Sequence, residues 1–187
     1  TVKEDIMSLY GMATMDGEIG GFEANLVVGL RYEKTDVESI SLQSVPEQII
    51  WLSDNDFRIQ LGSGTDALAE KHSYEALLPN IDLSVNLTDD LKARFSYSMT
   101  LARPAYNQMY TATSIGAPSR PTYLGGQGSG SRGNAALDPL ESNNFDLSLE
   151  YYYGESSMVS VGYYRKDVDN FVGTQQVSQS LFGLQDP

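Results

Sequence analysis

The string Gly128-Ser129-Gly130-Ser131-Arg132-Gly133 satisfies GxGxxG, a pattern that cradles a pyrophosphate when a strand leads into it and a helix leaves it. Here no strand immediately precedes it, no helix follows, and the phosphate-binding lysine is missing, so it reads as flexible loop. Asp54-Asn55-Asp56 begins like a calcium loop but lacks the later Gly and Glu, which leaves a solvated acidic loop with room at most for incidental calcium. His72 is the only histidine, read here as sitting at a strand entrance, and no second His or Cys exists to complete a metal site or a cysteine–histidine pair. A serine triad would have to use His72, and no GxSxG elbow is present. Asp167 and Asp169 share one face of a strand, where glycosidase-like geometry is imaginable, but like-charged neighbours on a wet face explain them as well. No catalytic constellation, metal site or cofactor motif emerges, and the expectation is a protein that is not an enzyme. The better candidates for ligand contact are the aromatic residues of long connections, Trp51, Tyr106, Tyr110 and Tyr123, whose rings could stack on a sugar or another flat ligand. The competing reading has them packing the loops together or sitting at a membrane interface.

These residues need a scaffold, and composition bounds it. The chain has 187 residues and 20.5 kDa, enough for one ordinary domain, and is 41% hydrophobic. Its richest apolar run, NLVVGLRY, stops far short of the roughly 18 residues a membrane helix needs. A formal charge of -13 and a pI near 4.3 argue against nucleic acid as a partner. The absence of Cys excludes disulfides and thiolate metal sites. The opening TVKEDIMSLYG shows no signal-peptide pattern, so a mature chain, a cytosolic one, or a piece of something longer are all open.

A period of two dominates the patterning. Phe22, Ala24, Leu26, Val28, Leu30 and Tyr32 alternate with Glu23, Asn25 and Arg31. Ile81 to Leu87 and Leu91 to Leu101 form a second alternating pair across a Thr-Asp-Asp turn, and Phe145 to Tyr153 with Val159 to Tyr163 form a third. The spacing predicts strands over 4–15, 22–37, 74–88, 91–103, 143–153 and 158–172, with short turns at one end and long connections, 38–73 and 104–142, at the other. This is an all-β, antiparallel up-and-down meander.

Alternation alone also fits a soluble β-sandwich or an adhesin-like binding module. Two features favour a wall between lipid and water: Asp82, Lys92, Arg94, Asp146 and Glu150 in mid-strand on the polar face, and tyrosines clustered at strand ends. Short turns opposite long loops, on strands of about 9–11 residues, suit a transmembrane barrel whose long loops are extracellular. Six strands are too few to close one, since bacterial barrels begin at about 8 strands.

Three blocks then resemble a particular family. LVVGLRYEKT from Leu26 to Thr35, LLPNIDLSVNLTDDLKARFSYSMTLARPAYNQM from Leu77 to Met109, and GNAALDPLESNNFDLSLEYYY from Gly133 to Tyr153 followed by YYRKDVDNF resemble, in order, the C-terminal part of the barrel of TonB-dependent outer-membrane receptors. The resemblance implies a fragment of a 22-stranded transmembrane barrel without the N-terminal plug or the final strand that closes on an aromatic residue. It further implies a place in the bacterial outer membrane and active uptake of a small-molecule substrate, an oligosaccharide or a ferric siderophore. Expected partners are outer-membrane lipid and the inner-membrane TonB energy-coupling complex, engaged through the plug, with no nucleic acid. A barrel lipase or protease would have to rely on His72, and loss of a hydrolytic activity in His72→Ala would favour that class.

Overall fold

The computed structural model describes residues 1–53, 56–118, 120–121, 124, 126–154, 157–180 and 182–184. Six strands form one antiparallel sheet: β1 (Val2–Ile19), β2 (Phe22–Ser53), β3 (Asp56–Asn86) and β4 (Leu91–Ala102), then β7 (Leu140–Gly154) and β8 (Ser157–Asp169). Each pairs with its neighbours in the order β1-β2-β3-β4-β7-β8, and a small separate ribbon, β5 (Ser114–Gly116) with β6 (Ser129–Ser131), lies in the connection between β4 and β7.

The expected meander is present as a single layer that does not close on itself. A sandwich would bury its apolar residues between two sheets. Here Leu9 is 75% exposed, Val161 69% and Leu147 49%. Val37, Phe57, Ala76, Met109 and Ala135 are the buried hydrophobic residues among those described, which is no sandwich core.

Register assigns the faces. Leu9 pairs with Tyr32 and Tyr32 with Leu77; Leu26 pairs with Leu83, Leu83 with Phe95, Phe95 with Leu147 and Leu147 with Tyr163. Because cross-strand partners share a face, these rows make one continuous apolar surface. Phe95 and Phe145 meet edge-on within it at 5.3 Å, and Phe145 meets Tyr163 at 6.3 Å. The opposite face is polar: Asn25 donates to Asp16 at 2.7 Å, Ser96 to Asp82 at 2.7 Å, and Arg94 to Glu150 at 2.9 Å.

The apolar surface ends abruptly along each strand. One step beyond Tyr32 and Leu77 lies the ion pair Lys34–Glu75, and beyond Tyr163 lies Arg165–Asp167, the pair that absorbs one member of the Asp167/Asp169 couple. At the other end Tyr151 stacks on Tyr153 at 6.3 Å. Aromatic side chains stand at both ends of the apolar band, and at the upper end ion pairs follow them.

The turns at the lower end follow local chemistry. β1 runs on through Asp16-Gly17-Glu18, expected as turn, because the reversal is made by Gly20 and Gly21, whose φ of 64° and 86° suit a two-residue hairpin of the primed type. After β3 the Thr88 hydroxyl accepts from the Leu91 amide at 3.0 Å, so a side chain closes the turn.

The largest departure from expectation is at the upper end. Of residues 38–73, expected as a long loop, 38–53 and 56–73 continue β2 and β3 as a two-stranded ribbon, with Ser39 opposite Glu70 and Gln43 opposite Asp66. At about 3.3 Å per residue the ribbon from Tyr32 to Ser53 reaches roughly 70 Å. Register shifts flank Pro46, where a ladder donor is missing. In this stretch both ribbon faces carry polar residues, so the contrast that marks a half-buried strand fades and the sequence reads as loop. Asp54 and Asn55, the start of the calcium-like triplet, lie outside the described residues.

Candidate functional site

The polar face of the ribbon is covered by the described residues of the connection between β4 and β7, which fold back across β3 and β2 to β1 as a strap. Arg103 begins it. The β4 pairing ends at Ala102, and Pro104 cannot donate to a ladder, so the chain leaves the sheet. The Arg103 guanidinium then binds Glu33 on β2, which also receives Arg31 at 2.6 Å. Glu33 is only 3% exposed, a carboxylate held between two guanidiniums.

Further along, side chains of the ribbon replace a missing strand. Gln43 receives the Thr113 amide on its carbonyl oxygen and donates its own amide to the Thr113 carbonyl, both at 3.1 Å. This two-way pairing copies a rung of a β-ladder. One residue pair below, the Ser41 and Thr111 hydroxyls meet at 2.9 Å, fully out of solvent. Met109 is completely buried in the strap. Burial pushes the Tyr74 hydroxyl above the ordinary tyrosine range.

On the return path Arg132 binds Glu70, and His72 lies 2.9 Å from Asp138. His72 therefore sits inside β3 rather than at a strand entrance, and its partner comes from the strap. Among the described residues no hydroxyl is hydrogen-bonded to that pair. Among the described residues no group of three or more His, Asp or Glu side chains converges as a metal site.

The glycine-rich string has a structural role. Gly133 donates its amide to the Tyr110 carbonyl at 3.0 Å, and Asn134 to that of Gln108 at 2.8 Å. A Cβ at Gly133 would overlap both carbonyl oxygens. These contacts hold the turn in which Gln108 reaches the Ala105 carbonyl at 2.9 Å, fixing the stretch from Tyr106 to Tyr110.

Of the four aromatic residues singled out from sequence, Tyr106 and Tyr110 come together in the wall of a depression of about 350 Å³, which they share with Thr1, Val2 and Asn107. Tyr106 also donates to Glu4 of β1 at 3.4 Å. Trp51 is remote from them along the chain fold, 57% exposed and opposite Phe57 near the ribbon tip. Tyr123 lies outside the described residues. A second cavity of about 270 Å³ lies between ribbon, strap and the segment after β8, with Asp66, Arg132 and Phe182 in its wall.

Sequence reasoning missed Glu4, Glu33, Ser41 and Gln43. The signal for the last two was the continuing alternation of Ser39, Ser41 and Gln43 with Ile40 and Leu42. Nothing local in the sequence points to the strap as their partner.

Residues 2–185 match a family model described as TonB-dependent receptor-like, β-barrel. Among solved structures, the siderophore receptor PirA from Acinetobacter baumannii is 12% identical with a TM-score of 0.42, over 89% of this chain and 27% of that one. A mutant of the ferric enterobactin receptor PfeA from Pseudomonas aeruginosa is 18% identical with a TM-score of 0.43, over the same shares of the two chains. The siderophore receptor PirA from Pseudomonas aeruginosa is 18% identical, with a TM-score of 0.40 over 89% of this chain and 32% of that one. The chain thus spans 27% to 32% of the length of these receptors. No curated protein sequence matches significantly.

Proposed function

The chain belongs to the TonB-dependent receptor-like β-barrel family, and from that premise we propose that it forms one sector of the wall of a bacterial outer-membrane receptor that imports a small molecule. The observation that carries the reading is the pairing of that family match with a sheet whose two faces differ so sharply. The apolar rows through Leu26, Leu83, Phe95 and Leu147 face lipid, and the polar rows face the interior of the barrel.

The strap then lies inside the upper mouth and offers Tyr106 and Tyr110 to an arriving ligand, with Trp51 as an outer contact on the ribbon. Energy for release comes from the inner-membrane TonB complex acting on parts of the longer protein. The family consists of receptors and transporters rather than enzymes, and the chemistry proposed for this region is recognition.

Fractionation of cells of the source organism tests this reading, using an antibody to residues 1–187. The expected result is an outer-membrane band well above 20.5 kDa whose gel mobility changes on heating, together with a nutrient-uptake defect shared by strains lacking this gene or TonB. A soluble band of the size of this chain would overturn it.

A further inference from the structure

The strap is held to the ribbon by different chemistry on its two legs. On the outgoing leg the Thr111 hydroxyl meets that of Ser41, Thr113 exchanges two bonds with Gln43, Arg103 binds Glu33, and Met109 is fully buried. Hydroxyls, amides, guanidiniums and carboxylates do not ordinarily change charge between about pH 5 and 8. Among the described residues, the return leg reaches β3 through two side-chain contacts, Arg132 on Glu70 and Asp138 on His72, the latter at 2.9 Å. Glu70 and His72 are two residues apart on one strand and share a face, so the two contacts stand side by side. One of the four groups is the only histidine of the chain, and histidine is the side chain that ordinarily gains or loses its proton in that range.

The surroundings of His72 set the sign of the effect. On β3, Glu70 and Tyr74 flank it on its own face, the Tyr74 ring 6.0 Å away. On β2 it is opposite Val37, between Thr35 and Ser39, and across Val37 on β1 stands Glu4. Lys71 lies on the other face, paired with Glu38. From the strap come Asp138 and Arg132, and Asn170 after β8 donates to the carbonyl of Pro139 next to Asp138 at 3.1 Å. Arg132 is committed to Glu70, so the charged group in contact with His72 is a carboxylate. A protonated imidazole forms an ion pair with it, whereas a neutral one makes at most an ordinary hydrogen bond of roughly half the strength.

We infer that His72 and Asp138 form a pH-sensitive clasp: the proton on His72 fastens the return leg of the strap, and its loss loosens residues 132–138 while the outgoing leg stays docked. The docked strap gains the ion pair only while His72 is charged. The gain is therefore complete below the ordinary value for a solvated histidine, about 6.5, and disappears as the pH rises through the range in which docked His72 gives up its proton. The consequence reaches the loop aromatics, because Gly133 and Asn134 of the return leg hold the carbonyls of Tyr110 and Gln108. The clasp is a property of the strap whether or not the chain is part of a receptor.

The test uses the full-length protein with a single cysteine in a cysteine-free background, spin-labelled at the exposed Ala136 of the return leg or at Ala112 of the outgoing leg. From about pH 5.5 to 8 the ratio of mobile to immobilised label at Ala136 should rise about threefold, a size that suits a partly exposed ion pair, and the Ala112 spectrum should stay constant. His72→Gln, which keeps a neutral hydrogen-bonding group, and Asp138→Asn should each give the high-pH spectrum at both ends of the range. Glu70→Gln should loosen the leg but leave its response to pH in place. An unchanged Ala112 spectrum shows that each variant keeps its outgoing leg docked. A parent protein whose Ala136 spectrum ignores pH would overturn the clasp. So would a pH response that survives in His72→Gln, or one in which Ala112 loosens together with Ala136.

Discussion

The lower sheet and the upper ribbon are the same two strands, β2 and β3, in two environments. Below Tyr32 and Leu77 one face is uniformly apolar and the other polar. Above them the apolar face gives way to ion pairs such as Lys34–Glu75, and the polar face is buried by the strap. The ladder itself barely changes across the boundary, running unbroken from Ala24–Val85 to Ser44–Thr65. What changes is the medium each face is built for, so one backbone arrangement serves two purposes: a wall below and a scaffold for the strap above.

The difference can be broken most strongly in the lower part. Phe95→Arg, in the middle of the apolar rows, should destabilise the membrane-inserted receptor by about 2–4 kcal/mol, and Ser96→Arg on the polar face by much less. Folding titrations in lipid vesicles read both, and equal costs would erase the distinction between faces.

In the upper part the effects should be smaller and confined to the strap. Glu33→Ala removes the acceptor shared by Arg31 and Arg103, and should cost on the order of 1–3 kcal/mol. The expected sign is faster proteolysis within 104–139 with unchanged heat-dependent mobility of the barrel. Gln43→Ala deletes the two-way pairing with Thr113, each bond contributing about 0.5–1.5 kcal/mol, and hydrogen exchange at the Thr113 amide should rise. Lys71→Ala, whose ion pair with Glu38 is well exposed, should change stability by no more than about 0.5 kcal/mol in the same titration.

The same comparison explains what the sequence reveals. Phe145, Leu147, Leu149 and Tyr151 alternate with Asn144, Asp146, Ser148 and Glu150, and strand, register and face all follow from that contrast between the two faces, which the proposed barrel turns to lipid and to water. Ser39, Ser41 and Gln43 also alternate, but with only Ile40 and Leu42 against them, and their neighbours across the sheet are Glu70, Leu68 and Asp66. Their burial comes from the strap, a partner some seventy residues away in the chain, as the Ser41–Thr111 contact shows. Tyr106 and Tyr110 were legible as loop aromatics. That they share one depression goes with backbone contacts of Gly133 and Asn134 to Tyr110 and Gln108, and that Trp51 does not share it follows from its place near the ribbon tip, neither of which a local pattern encodes.

The central claim is that the two faces of one sheet meet different media. The chain contains no cysteine, so single substitutions to Cys at 145–151 of the full-length receptor, made in a cysteine-free background and spin-labelled in lipid vesicles, report each position alone. Collision with dissolved oxygen should be high at Phe145, Leu147, Leu149 and Tyr151, and collision with a water-soluble nickel chelate should be high at Asp146, Ser148 and Glu150. Accessibilities that run evenly through both sets would contradict the account.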